Sequence, residues 1–149
     1  MRKIAVLFPG QGSQYVGMGQ AFYDQNPEFR ARFDLIGDKL GVDIHLLCFA
    51  ETDLLNETEY AQSAITTVSA LIYDRVELAL RRSELYFIGH SLGEFSALYA
   101  SGVFDLETMT DLVRYRGQIM SEAARLHPGR MAAVIGGETE KIESACDSM

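Results

Sequence analysis

Leu85-Tyr86-Phe87-Ile88-Gly89-His90-Ser91-Leu92-Gly93 decides how this chain is read. A short apolar run enters a Gly-x-Ser-x-Gly turn, and Leu92 to Ala100 continues as a helix-forming run, which is the strand–turn–helix context of a nucleophile elbow. A serine at the tip of such a turn is held in a strained backbone conformation, so its neighbours two positions either side must be small. Gly89 and Gly93 meet that demand. The helix that follows points free N–H groups and its positive end at the hydroxyl, favouring an alkoxide or oxyanion there. The plain alternative is an ordinary glycine-rich turn between a strand and a helix.

Upstream of the elbow, Lys3–Phe8 reads as a buried strand stopped by Pro9-Gly10. Helices are expected over residues 16–24, over 27–40 with Pro27 in the first turn and Phe29, Phe33, Ile36 and Leu40 on one face, over 44–49 capped by Asp43, and over about 59–82. Residues 51–58 read as a surface connection. Downstream, Asp105 caps a helix running to about Leu126, where His127-Pro128-Gly129 breaks it. Residues 130–135 form a second strand-like run, and a helix opens from Glu138 with no stop signal before Met149. Strands separated by helices predict an α/β architecture with parallel strands. The missing stop signal makes a portion of a longer protein the expectation.

At 149 residues and 48% hydrophobic content, the chain can bury one sizeable core and is too short for two ordinary domains. A net charge of −8 argues against a nucleic-acid-binding surface, which needs clustered Lys and Arg to neutralise phosphates. Cys48 and Cys146 lie far apart without metal-like spacing, so neither a disulfide framework nor a metal site is expected. The apolar stretch Ile4 to Phe8 is too short for a signal-peptide core or a membrane span, and a reduced, cytoplasmic setting fits best.

The loop Pro9-Gly10-Gln11-Gly12-Ser13-Gln14 follows the first strand, so a parallel sheet would bring it to the same edge as Ser91. Tyr15 stands where a dinucleotide fingerprint needs its third glycine, and Met18-Gly19 replaces the Lys and Ser or Thr of a P-loop. A backbone donor is what remains. Acyl transfer needs two N–H groups aimed at the developing oxyanion, one usually from the residue after the nucleophile and one from an earlier strand's loop; Leu92 and Gln11 fit those places. Arg116 falls on the stripe that also holds Leu106, Met109, Val113 and Met120, with Gly117 beside it. A guanidinium there needs a partner, and two remain open: a substrate carboxylate held through two parallel hydrogen bonds, or an internal acidic residue. A serine nucleophile also needs a base. His90 reads as a shaping residue beside the pocket, His45 as structural, and His127 as a residue at a helix end, so no good base is visible.

Gly10-Gln11-Gly12-Ser13-Gln14, Gln62 in Ala61-Gln62-Ser63-Ala64, Gly89-His90-Ser91-Leu92-Gly93-Glu94, Arg116-Gly117 and Met131-Ala132-Ala133-Val134-Ile135-Gly136 together resemble the malonyl-CoA:acyl carrier protein transacylase family of fatty acid synthesis. The resemblance spans nearly the whole chain. It implies a ping-pong transfer in which Ser91 takes malonyl from malonyl-CoA and passes it to the phosphopantetheine thiol of acyl carrier protein, with no further cofactor. Arg116 would bind the malonyl carboxylate, Gln11 and Leu92 would supply oxyanion donors, and His90 and Gln62 would line the site. Leucine after the serine looks like the malonyl-using branch rather than methylmalonyl-using polyketide relatives. Ser63 departs from the proline usual after the glutamine.

Family members are considerably longer, with a hydrolase-like large subdomain interrupted by a ferredoxin-like small one and a catalytic histidine beyond it. The resemblance therefore implies that residues 1–128 are the first part of the large subdomain, incomplete, and that 129–149 begin the small one. No histidine of this chain matches the catalytic one. Two rivals share the elbow: a serine hydrolase or thioesterase-like protein, and a silent binding protein that kept the pocket without a base. Arg116 argues against the hydrolase, because it has a purpose only toward a charged acyl group. A half-built sheet would also leave apolar faces and strand edges uncovered, so self-association of the isolated chain is expected.

Overall fold

The computed structural model describes residues 1–129 and 134–148. The elements are strand β1 (Lys3–Phe8), helices α1 (Gln20–Gln25), α2 (Pro27–Leu40), α3 (Ile44–Phe49) and α4 (Thr58–Leu80), strand β2 (Glu84–Gly89), and helices α5 (Gly93–Ala100), α6 (Leu106–Leu126) and α7 (Thr139–Asp147). Most of the expected second strand-like run, residues 130–135, lies outside the described residues.

β1 and β2 pair in parallel, from Lys3 opposite Glu84 to Phe8 opposite Gly89, and α4 is the long crossover that a parallel pair requires. Both strands therefore end at the same edge, and the loops that follow them meet there. Val6, Phe8 and Phe87 pack on Tyr73 of α4 and on Ala97, Tyr99 and Ala100 of α5. The opposite face is bare, with Leu7 70% and Ile88 53% exposed. β1 was expected to be buried; it is buried on alternate residues only, because α4 and α5 cover one face of the pair.

Helix boundaries follow local chemistry. Asn26 accepts from the Phe29 N–H at 2.8 Å, Pro27 stands at the first helical position, and Gly41 closes α2 at φ 68°. Asp43 accepts from Leu46 N–H and Asp105 from Thr108 N–H, starting α3 and α6 where the sequence placed them. The helix expected over 16–24 is shorter. Gly17 and Gly19 sit at φ 90° and 83°, which no right-handed helix contains, so residues 16–19 form turns and α1 starts at Gln20. The connection over 51–58 also carries more than surface: a single 3₁₀ turn, Asp53–Asn56, puts Leu55 into the core beside Phe33, Leu47 and Leu71.

α4 is the spine of the fold. Its small residues Ala61, Ser63, Ala64 and Ala70 are all buried, and α6 crosses it where a Cβ on Gly117 would lie 3.0 Å from the Glu59 Cα. Ile65 of α4, Leu92 of the elbow, and Met109 and Val113 of α6 make one apolar cluster. α7 buries none of its own residues. Among the described residues, no helix is long and apolar enough to cross a membrane, and no group of His, Cys, Asp and Glu could hold a metal ion.

Candidate active site

Ser91 has φ 52°, and it is the one residue other than glycine with positive φ among those described. A left-handed serine costs about 1–2 kcal/mol relative to an ordinary conformation, so its surroundings must impose it. They do so by steric interlock. A Cβ on Gly89 would lie 2.2 Å from the Glu94 nitrogen, and one on Gly93 would lie 2.2 Å from the Phe8 carbonyl oxygen. Leu92 is fully buried in the cluster beneath, which anchors the turn from below, while Ser91 stays exposed at its tip.

The loop after β1 lies directly against this turn. His90 N–H donates to the Phe8 carbonyl at 3.2 Å, and a Cβ on Gly10 would meet the His90 carbonyl oxygen at 2.7 Å and its Nδ1 at 2.8 Å. The loop is held internally by Ser13 Oγ donating to the Gly10 carbonyl and by Gly12 N–H donating to Gln14 Oε1. Neither Gln11 N–H nor Leu92 N–H donates to an acceptor among the described residues. Gln11 is exposed, whereas Leu92 is buried beneath the turn.

Arg116 reaches Ser91 from α6. Its Nη2 donates to Ser91 Oγ at 3.2 Å, and its Nη1 donates to Gln62 Oε1 at 2.6 Å. The guanidinium carbon lies 5.8 Å from the centre of the Phe95 ring, close enough for a cation–π attraction. Arg116 forms no ion pair among the described residues, so the internal acidic partner that the sequence left open is not found there. Its charge is met by neutral oxygen acceptors alone, and an incoming carboxylate would be a stronger partner.

Gln62 is fully buried and lies behind Arg116 rather than on the surface. Its Nε2 donates to Gln11 Oε1 at 3.2 Å and approaches Met120 Sδ at 3.3 Å, and Gln11 Nε2 donates to Thr58 Oγ1 at 3.0 Å. Thr58, Phe95 and Met120 had no place in the sequence expectation for the site. Thr58 stands four residues before Gln62 on one face of α4, and that spacing was the available signal.

The three histidines lie in different surroundings. His90 is exposed, with its ring over Gly10. His45 contacts Tyr23, Phe33 and Phe49 and pairs with Asp34 at 2.8 Å, while His127 terminates α6. None of the three hydrogen-bonds to Ser91. An apolar cavity of about 290 Å³ between β1 and α4, lined by Val6, Phe8, Met18, Ile65, Val68 and Tyr73 among others, touches neither Ser91 nor Arg116.

Comparison with known proteins gives this geometry a family context. The model of the acyl transferase domain family matches residues 6–148. The polyketide biosynthesis protein PksE of Bacillus subtilis (strain 168) is 43% identical over 146 residues, which are 97% of this chain and 18% of that protein. Malonyl CoA-acyl carrier protein transacylase from the same strain is 37% identical over 150 residues, covering 100% of this chain and 47% of that one. Among solved structures, malonyl-CoA:acyl carrier protein transacylase from Helicobacter pylori superposes with a TM-score of 0.85 at 37% identity, over 99% of this chain and 48% of its own. The chain thus spans about half the length of the transacylases it matches, and less of PksE.

Proposed function

Because the chain belongs to the acyl transferase domain family, we propose that it carries the nucleophile and the carboxylate-binding part of a malonyl transferase site. Ser91 Oγ attacks the thioester carbonyl of malonyl-CoA, the C–S bond breaks, and the coenzyme A thiolate takes up a proton as it leaves. The malonyl ester on Ser91 is then attacked by the phosphopantetheine thiol of an acyl carrier protein; the C–O bond breaks and the serine regains its proton.

The observation that carries this reading is the 3.2 Å contact between Arg116 and Ser91. It puts a cation that has no acidic partner among the described residues within reach of the hydroxyl, where the tail of a short dicarboxylic acyl group would lie. A neutral acyl group has no use for it. Gln11 and Leu92 fit as oxyanion donors through their backbone N–H groups, with the start of α5 adding its positive end. Gln62 holds Arg116, and His90 walls the elbow side of the site.

The base that receives the Ser91 proton is none of His45, His90 and His127; by family resemblance it is a histidine C-terminal to this stretch. Residues 1–128 then belong to a hydrolase-like large subdomain and residues 129–149 to the start of a ferredoxin-like small one. Such a transferase, supplying fatty acid or polyketide synthesis, would work in the cytoplasm.

Incubation with malonyl-CoA or acetyl-CoA followed by intact-mass measurement tests the proposal. A malonyl adduct lost in Ser91→Ala supports it. Release of free malonate without an adduct or an acceptor favours the hydrolase, and saturable binding with neither favours a silent protein.

A further inference from the structure

We infer that Thr58 is a positioning residue of this site: acting through the side chains of Gln11 and Gln62, its hydroxyl fixes where Arg116 presents its guanidinium and so tunes the preference for an anionic acyl group. The inference rests on the acyl-transfer reading given above. Thr58 hydrogen-bonds to neither Ser91 nor Arg116, so its influence passes through the two glutamines.

The bonds form one directed chain. Arginine has donors only, so Gln62 must turn its Oε1 toward Arg116 Nη1, 2.6 Å away. Its Nε2 must then find an acceptor, and Gln11 Oε1 is 3.2 Å away. That choice fixes the Gln11 amide as well, leaving its Nε2 to donate to Thr58 Oγ1 at 3.0 Å. Each amide has two orientations; the guanidinium, a donor only, sets the sense from one end, and the Thr58 hydroxyl, which can donate or accept, completes the chain by accepting at the other. Aligned hydrogen bonds of this kind reinforce one another.

Position 58 is where this chain is most easily disturbed. Valine keeps the shape of threonine and removes the hydroxyl, so the exposed Gln11 side chain loses its anchor and is free to leave Gln62. Gln62 is fully buried, and its other neighbour on that side is Met120 Sδ at 3.3 Å, a weak acceptor. Leaving a buried amide donor without a good acceptor is unfavourable, so the Gln62 side chain shifts from its place and Arg116 loses its fixed partner. Serine at 58 retains the acceptor and should retain the arrangement.

The test compares the wild-type chain with Thr58→Val and Thr58→Ser. Side-chain NMR signals of Gln11, Gln62 and Arg116 are followed, together with initial rates of Ser91 adduct formation from malonyl-CoA and acetyl-CoA across concentration. In Thr58→Val the Gln62 and Arg116 signals should move, and the malonyl-to-acetyl ratio should fall about threefold to tenfold, chiefly through the malonyl-CoA concentration needed for half-maximal loading. Thr58→Ser should restore both. Unmoved signals, an unchanged ratio, or failure of serine to restore them would overturn the inference. Should the wild-type chain load neither acyl group for want of the base, the Gln62 and Arg116 signals alone decide the relay, apart from the acyl-transfer reading. If Thr58→Val does not fold, Gln11→Met, which removes both ends of the middle amide at an exposed position, takes its place with the same expected outcomes.

Discussion

Arg116 holds the hydroxyl of Ser91, donating to Oγ through Nη2 at 3.2 Å while Nη1 stays on Gln62. Ser91 Oγ therefore shares a lone pair with a cation. A carboxylate is a better acceptor than a hydroxyl, so an acyl group with an anionic tail would draw Nη2 away and free Oγ, whereas a neutral one would leave it occupied. Arg116→Ala should lower malonyl loading of Ser91 about a hundredfold relative to acetyl loading, the order expected for loss of a charge-assisted bidentate pair. Parallel intact-mass time courses measure it, and an unchanged acyl preference would remove Arg116 from carboxylate binding.

The backbone of Ser91 makes a different prediction. At φ 52° a residue with a Cβ is strained and glycine is not. Ser91→Gly should be more stable than Ser91→Ala by about 1 kcal/mol, after the greater flexibility of glycine in the unfolded chain is counted. Urea denaturation of the two variants decides it; equal stability would mean that the turn relaxes once the hydroxyl is gone.

α5 is tied to the body of the fold by a polar cluster. Tyr99 OH donates to Asp74 at 2.8 Å, and Arg32 from α2 bonds both Asp74 and Tyr99. Burial pushes the Tyr99 hydroxyl up to about 12, so it stays a donor throughout the physiological range. Asp74→Ala strands Arg32 in a partly buried place and should cost about 2 kcal/mol, while Tyr99→Phe should cost about 1. Denaturant titration measures both, and the double variant should cost less than the sum because the two residues share one network.

Cys48 gives a pH signature. Burial pushes its thiol up to about 12, against about 8.5 for an unfolded thiol. The unfolded chain therefore loses this proton first as pH rises. The stability it confers is complete below about pH 8.5 and is lost progressively above it, toward the folded value. Tyr99 adds to the slope only above about pH 10, where an unfolded tyrosine ionises. Between about pH 8.5 and 10, denaturation midpoints should fall in the wild-type chain and fall less in Cys48→Ala. A thiol reagent should label the exposed Cys146 and leave Cys48 untouched in the folded protein.

The elbow was legible because its demands are local: a left-handed serine needs small residues at fixed offsets, and Gly89 and Gly93 stand there. α2, α3 and α6 were legible for the same reason, since Pro27, Asp43 and Asp105 mark their starts locally. Turns at Gly17 and Gly19 were harder, because apolar Val16, Met18 and Phe22 suggested helix and only the glycines' φ angles decide otherwise. The bare face of β1 was not legible either. An apolar strand reads as buried, and which side is covered depends on where α4 and α5 come to lie. Arg116 could be placed on its stripe by helical spacing, but the path from it through Gln62 and Gln11 to Thr58 joins three separate stretches of chain. Spacing reveals only the Thr58–Gln62 half-step on α4.

At the sheet edge, Gly10 under the His90 ring and Gly93 against the Phe8 carbonyl mesh the two loops like adjacent teeth of a zip. Neither can swing aside without carrying the other. Movement on ligand binding would therefore come from segments above this seam, on the water-facing side where Ser91, His90 and Gln11 are exposed, and a ligand descending from there would meet a floor already set in shape.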